Sequence, residues 1–490
     1  MAALDAAPVS PYIDAQSIYT EHRKRHWDQV AANDRWGLSS RFYQRRLSAV
    51  FQHLIPPNSR VLELGCGKGD LLASLQPSYG VGLDFSSQMI AAAQARHANI
   101  RFIQADVHDL AGTLEGEIFD YIILSDLVND LWDIQHTIQQ IQQVCYPGSR
   151  VIFNFYSRLW QAPLLLAQKA GLARPVLEQN WITKEDLTNV LELAGFERIR
   201  AWPEMIFPFP IPLVADFFNR FLVKVWPFYD LAISNFVIAR PAGQAAHGAK
   251  QPPTVSVIVP ARNEQGNIEN IFQRVPEMGG GTEIIFVEGN SKDDTYAAIE
   301  RGIEQHPERR CKLAKQAGKG KGDAVRKGFS IASGEILMIL DADLTVPPEY
   351  LPRFYEAIVT NKGEFINGVR LIYPMEKEAM RLLNFLGNKF FCLAFTYLLG
   401  QPIKDTLCGT KVLWREDYER IAANRSYFGD FDPFGDFDLL FGAARLNRKI
   451  TDLPIRYKER VYGATNISRW RHGLLLLRMV FFAASRIKFV

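Results

Sequence analysis

The chain has 490 residues, room for two or three domains, and 48% of them are hydrophobic, enough for sizeable cores. A formal net charge of +3 argues neither for nor against nucleic acid, and no nucleic-acid partner is expected. Cys66, Cys145, Cys311, Cys392 and Cys408 are scattered without a CxxC pair, which argues against a disulfide framework or structural zinc and points to a reducing cytoplasm. Residues 1–30 lack the continuous apolar stretch of a signal peptide, and no run reaches the roughly 18 uninterrupted apolar residues of a membrane span.

Residues 1–50 are polar and aromatic, with helical spacing toward Arg41–Leu54. Strand and helix patterns then alternate. Val61–Leu64, Gly80–Leu83, Ile100–Ile103, Tyr121–Leu124 and Val151–Phe155 read as short buried strands, and Phe85–His97 and Ile134–Cys145 as helices. Further helices are predicted at Leu159–Gly171 and Thr183–Ala194, and a late strand at Phe236–Ala239. Residues 241–253, small, polar and bounded by proline, read as a linker. The alternation then restarts, with strands at Val255–Val259, Glu283–Val287, Ile336–Leu340 and Glu364–Asn367, and helices at Ile268–Arg274, Thr295–Gln305, Lys321–Ala332 and Pro348–Asn361. The expected class is α/β: two doubly wound domains, 1–240 with an N-terminal helical extension and 254–490 with apolar and basic C-terminal helices.

The first domain carries Glu63-Leu-Gly65-Cys-Gly67-Lys-Gly69 after a Val/Leu strand. Glycines there permit positive φ and let backbone N–H groups approach a ligand. Alone, such a loop suits a structural turn or a dinucleotide site equally well. Asp84 ends the second strand, where a carboxylate can accept from two ribose hydroxyls, and Asp106 ends the third, where one can receive an adenine amino group. This series, over Arg60–Phe155, resembles the class I S-adenosylmethionine-dependent methyltransferases, whose domain is Rossmann-like. The resemblance implies that Glu63, Gly65 and Gly67 back onto the methionine part of S-adenosylmethionine, Asp84 binds the ribose, and Asp106 with Val107 frames the adenine. In Ser125-Asp126-Leu-Val-Asn-Asp130, either aspartate is a candidate to bind or deprotonate a hydroxyl, or to cap a helix near Leu131.

The second domain opens on a strand running into Pro260-Ala261-Arg-Asn-Glu264. Glu288 follows the next strand, a Gly/Lys-rich segment leads to Lys321, and Ile336–Leu340 ends in Asp341-Ala342-Asp343. The order suits a nucleotide diphosphate: polar strand ends for base and ribose, lysine for charge, and carboxylates for a hard Mg²⁺ or Mn²⁺ that neutralises a departing diphosphate. These motifs, from Val255 to about Ser468, resemble the family 2 glycosyltransferases with a GT-A fold, and within them the dolichyl- or polyprenyl-phosphate mannosyl- and glucosyltransferases. The resemblance implies that Pro260, Ala261, Glu264, Glu288, Lys321, Asp341, Ala342, Asp343 and Arg370 bind the sugar nucleotide, with Asp341 and Asp343 on the metal. Arg370 matches an arginine that contacts donor phosphates, and Arg460 in Arg460-Val-Tyr-Gly-Ala-Thr465 one that meets phosphate. Two departures stand out. Glu288-Gly289 replaces a pair of aspartates, and Thr345 replaces a glutamine. Asp436 sits where inverting members carry a general base; with a phosphate acceptor no strong base is needed, and it becomes a positioning or helix-start carboxylate. Asn466-Ile-Ser-Arg-Trp470 is a weak match to the QxxRW segment of processive synthases.

Leu474–Val490, Met380–Leu399 and Ile206–Trp226 are more apolar than a soluble enzyme requires, and basic residues flank the first. They read as interfacial membrane elements or as core-packing helices. The expectation is a cytoplasmic bifunctional enzyme, peripheral at the membrane. It would transfer sugar from a nucleotide-diphosphate donor to a polyprenyl-phosphate or glycan acceptor and methylate the same or a related intermediate. The alternative is a soluble transferase acting on a hydroxyl, with a non-catalytic N-terminal scaffold.

Overall fold

The computed structural model describes residues 11–32, 38–110, 112–169, 177–243, 251–373, 382–424, 436–458, 460, 462 and 469–489. It divides into two compact units, Met1–Ala242 and Gly243–Val490, each built on a seven-stranded sheet.

In the first unit, helices α1 (Pro11–Ala32) and α2 (Leu38–Leu54) precede β1 (Arg60–Leu64), β2 (Tyr79–Asp84), β3 (Arg101–Gln104), β4 (Tyr121–Ser125), β5 (Arg150–Tyr156), β6 (Phe196–Glu204) and β7 (Ser234–Pro241). The sheet order is β3-β2-β1-β4-β5-β7-β6. The first five strands pair in parallel, and β7 runs antiparallel to both β5 and β6. Alternate residues supply two cores, one on each face: Leu62, Leu64, Ile122 and Leu124 in one, Val61, Ile123, Ile152 and Phe236 in the other. The helix Lys184–Leu193 begins at a Thr183/Asp186 capping box.

The second unit contains β8 (Val255–Ala261), β9 (Thr282–Glu288), β10 (Arg310–Lys315), β11 (Ile336–Ile339), β12 (Phe365–Val369), β13 (Lys411–Trp414) and β14 (Ile450–Pro454), in the order β10-β9-β8-β11-β13-β12-β14. Here β13 is antiparallel to β11 and β12. Val257, Val259, Met338 and Leu340 fill one core, and Ile258, Leu337 and Ile339 the other. In both units the chain winds outward in two directions from a central strand, β1 or β8. The adjoining loops therefore diverge and leave a crevice at the carboxyl ends of the strands.

Four strands escape the sequence pattern. The edge strand β10 is only partly buried and alternates basic with apolar residues. β6 breaks register between Arg198 and Arg200. β13 begins on buried Lys411, and β14 carries polar Thr451 and Asp452. Arg448 pins the β12–β14 edge, reaching Glu364 at 3.1 Å and Asp417 at 2.6 Å, with all three residues buried. Removing that guanidinium leaves two buried carboxylates without it. Arg448→Ala is expected to destabilise the second unit by about 3–5 kcal/mol, read as a lower urea midpoint for its transition.

Candidate active sites

In the first unit, Gly65, Gly67 and Gly69 all have positive φ, at 68°, 51° and 75°. A Cβ on Gly65 would strike Leu127, whereas nothing lies within 4 Å of one on Gly67. The backbone at Gly67 thus faces open space. Glu63 is buried, and its Oε2 accepts the Leu72 N–H at 3.1 Å, holding the loop to the short helix Asp70–Ser74. Burial pushes its carboxyl up to about 8. Asp84, buried at the end of β2, accepts the Gly67 N–H on Oδ2 and the Ser86 N–H on Oδ1, both at 2.9 Å. Burial raises its pKa against the pull of those two bonds. A carboxylate offers about four lone-pair sites, so acceptor capacity remains for hydroxyl groups. Asp106 takes both His108 bonds on Oδ1, from N–H at 3.0 Å and Nδ1 at 2.7 Å. Burial alone would raise its carboxyl, but these bonds more than offset it and leave it below the usual range. Val107 packs into the core behind it. A cavity of about 560 Å³ opens beside Phe85, Ala105 and Asp106. Open backbone at Gly67, acceptor capacity at Asp84 and this cavity fit S-adenosylmethionine.

Beyond β4 stands Asp126, with φ at 52°. Its Oδ1 accepts from Tyr43 Oη at 2.8 Å and Asn154 Nδ2 at 2.7 Å, and burial pushes it up to about 7. A carboxyl titrating near neutrality has the protonation behaviour of a general base. Neither Asp126 nor Asp130 caps the helix Ile134–Ile141; Asp133 does, accepting from the His136 N–H at 2.8 Å.

In the second unit, β8 delivers Pro260 and Ala261, and β9 ends at buried Glu288, whose Oε1 accepts the Ser291 N–H at 2.5 Å. That bond holds Glu288 within its own turn. Asp341, Ala342 and Asp343 follow β11. Lys321, the first residue of helix Lys321–Ile331, places Nζ 2.5 Å from Asp341 Oδ1. Burial would raise Asp341, but the Lys321 ammonium holds it below the usual carboxylate range, with Arg370 and Lys411 helping. Asp343 Oδ1 accepts from the Thr345 N–H at 3.1 Å and Oγ1 at 2.8 Å, so the residue that replaces glutamine orients the aspartate. Its Oδ2 meets Arg460 at 2.5 Å, and Arg460 also reaches Glu264 at 3.7 Å. Burial pushes Glu264 up to about 7, opposed by a bond from Asn267.

Arg370, expected to contact donor phosphates, lies with its guanidinium bidentate on buried Asp405, at 2.7 and 2.9 Å. Burial would raise Asp405, but Arg370 leads the interactions that bring it down to about 2. Residues 405–410, which the sequence reading missed, form part of the site. A Cβ on Gly409 would overlap Asp341 Oδ2 and Lys321 Nζ, so this loop's backbone abuts the aspartate pair. The glycine in Asp405-Thr-Leu-Cys-Gly-Thr410 was the available signal. Asp436 opens the helix Asp436–Arg445, but its side chain lies outside the described residues, as do residues 463–468.

Asp341, Asp343 and Glu264 offer oxygen donors only, which suits Mg²⁺ or Mn²⁺. Among the described residues no three histidine, cysteine or carboxylate side chains form a metal cluster. A cation held by the aspartate pair would complete its shell with phosphate oxygens and water.

Residues 55–195 match the family model "Methyltransferase domain" and residues 256–422 match "Glycosyl transferase family 2". The chain therefore joins a methyltransferase domain to a family 2 glycosyltransferase domain. It is 32% identical over 219 residues to a dolichol-phosphate mannosyltransferase of Pyrococcus furiosus, covering 44% of this chain and 59% of that one. It is 31% identical over 231 residues to an undecaprenyl-phosphate 4-deoxy-4-formamido-L-arabinose transferase of Edwardsiella ictaluri, covering 46% and 64%. This chain thus spans less than two thirds of either relative. Among solved structures, glucosyl-3-phosphoglycerate synthase of Mycobacterium tuberculosis aligns at TM-score 0.35 and 17% identity, over 48% of this chain and 80% of that one. An S-adenosylmethionine-dependent methyltransferase of Mesorhizobium loti aligns at 0.31 and 22%, over 39% and 96%.

Asp84→Ala is expected to weaken S-adenosylmethionine binding by roughly 1.5–3 kcal/mol, the size of hydrogen bonds to a charged group. Titration calorimetry checks this, and unchanged affinity would remove Asp84 from the site.

Proposed function

We propose that this bifunctional transferase moves a sugar from a nucleotide-diphosphate donor to a polyprenyl phosphate, with Mg²⁺ or Mn²⁺, and methylates the same or a related intermediate from S-adenosylmethionine. The observation that carries the first half is the aspartate pair at the end of β11, flanked by Lys321 and Arg460. The relatives, a dolichol-phosphate mannosyltransferase and an undecaprenyl-phosphate 4-deoxy-4-formamido-L-arabinose transferase, support the acceptor class.

Asp341 and Asp343 would hold the metal, which when bound supplies positive charge to the departing diphosphate. Lys321 stands ready for the same phosphates. Arg460 has the planar fork that grips phosphate in two places. An acceptor phosphate is already anionic, so Asp436 would position it rather than deprotonate it. In the methyltransferase domain Asp84 would hold the ribose and Asp106 the adenine edge, with Asp126 taking a proton from a hydroxyl acceptor.

A lipid-linked acceptor calls for a membrane-facing surface. Among the described residues no helix is long and apolar enough to cross a membrane. The helices Leu382–Leu399 and Arg469–Ala483 pack together in the second unit. They expose Phe390, Leu393, Leu474 and Phe481 beside exposed Lys389, Arg478 and Arg486, and neither helix contains an acidic residue. Such a face suits an anionic lipid surface, and peripheral membrane contact is part of the proposal.

Asp343→Asn is expected to abolish metal-dependent sugar transfer while leaving S-adenosylmethionine affinity intact. Full transfer by this variant with manganese or magnesium supplied would sink the metal assignment.

Acceptor type is read from a pair of variants at saturating donor. With a phosphate acceptor, Arg460→Lys slows transfer markedly and Asp436→Asn costs little. With a hydroxyl acceptor, Asp436→Asn costs roughly 10²–10⁴-fold, the contribution of a positioned base. That second pattern, in a folded protein, would overturn the polyprenyl-phosphate reading.

A further inference from the structure

The cavity beside Asp106 has a wall that lies outside the methyltransferase match, which begins at residue 55. That wall is α1. It presents Ser17, Thr20 and Lys24, three or four residues apart and so on one helical face, toward Phe85, Ala105 and Asp106. Two anchors fix α1 there. Asp28 Oδ1 accepts from Ser86 Oγ at 2.5 Å and from the Gln88 N–H at 3.3 Å, just beyond Asp84. Arg23, buried, lies 3.6 Å over the Tyr19 ring, 3.8 Å from Asp130 Oδ1, and donates to the Glu178 carbonyl. Tyr19 Oη donates to the Asp130 carbonyl at 3.3 Å. The helix therefore touches the ends of β2 and β3 and the loop beyond β4. In the sheet order β1 lies between β2 and β4, so α1 is tied to loops on either side of β1.

We infer that α1 is a strap across the cofactor cleft, with its Ser17–Thr20–Lys24 face forming the outer wall of the nucleoside pocket. The inference rests on the reading of this domain as an S-adenosylmethionine site. The wall is polar, with Gln16, Glu21 and Gln104 lining the cavity as well, and it suits the polar edge of a purine nucleoside. Hydroxyls of Ser17 and Thr20 can serve ring nitrogens as donors or amino groups as acceptors. Both His108 bonds to Asp106 fall on Oδ1, and none of the described residues bonds Oδ2, which is left for the amino edge. The Asp28 and Arg23 contacts hold α1 against the ligand, so their release, by local opening of α1, speeds ligand exchange.

The test uses the full chain with S-adenosylhomocysteine as probe. Saturating probe is expected to slow tryptic cleavage after Lys24 and Arg25 by at least about tenfold, as ligand-linked protection requires. Thr20→Trp, on the partly exposed face of a surface helix, narrows the wall and is expected to weaken probe affinity by about tenfold or more. Asp28→Ala is expected to speed probe dissociation in stopped flow by about tenfold, the order of a lost charged hydrogen bond. Cleavage rates unmoved by the probe, with Thr20→Trp at wild-type affinity, would overturn the strap. If Asp84→Ala still loses affinity in that case, the cofactor reading survives. A wild-type chain that binds no probe overturns both.

Discussion

A carboxylate at the end of a buried strand needs a partner, because burial penalises its charge. The kind of partner decides what the strand end can receive. In the first unit the partners are mostly dipoles: Asp84 rests on two backbone N–H groups, and Asp106 on His108. Those contacts leave lone pairs to spare, which suits hydroxyls and an amino edge. In the second unit the partners are full cations, Lys321 on Asp341 and Arg460 on Asp343. That balanced array suits a ligand that brings both signs of charge, a metal–diphosphate pair.

Topology puts these carboxylates where they can act. β1 and β8 each have one neighbour that precedes and one that follows the reversal of strand order, so the loops leaving them diverge. Glu63 and Glu264 illustrate the cost of building there. Burial raises both, Glu63 to about 8 and Glu264 to about 7, and each accepts a local hydrogen bond, from the Leu72 N–H and from Asn267 Nδ2. Glu63 shapes its loop and need not touch a ligand. Glu264 lies close enough to Asp343 to share Arg460.

Much of this was legible because it is local. The largely apolar runs of β1, β4, β8 and β11, the glycines at 65, 67 and 69, and the carboxylates at 84, 106, 341 and 343 each leave a signature within a few residues. What the sequence hid depends on distant partners. Arg370 reads as a donor-phosphate contact, and its pairing with Asp405, 35 residues on, leaves no trace in the local sequence. The strands β10, β13 and β14 lack the apolar runs of the central strands, since β10 is an edge and the others carry Lys411, Thr451 and Asp452. The role of α1 was hidden for a similar reason: its polar face looks like an ordinary solvated helix until β3 is placed opposite it.

The charges around Asp343 constrain how its site fills. Without ligand, two aspartates face two cations, and Glu264 adds a carboxyl that burial pushes up from its ordinary range. A bare divalent ion entering this array would compete with Arg460 for Asp343 and meet the Lys321 ammonium beside Asp341. A nucleotide diphosphate alone would bring its negative charge toward carboxylates already present. Arriving together, the two nearly cancel. Lys321 and Arg460 would then find new anionic partners on the diphosphate, and Asp341 and Asp343 would be the residues to hold the metal. Lys321 and Arg460 thus serve as internal salt-bridge partners of the aspartates, and a ligand carrying both signs of charge would exchange those pairs for new ones without leaving a buried charge unmatched.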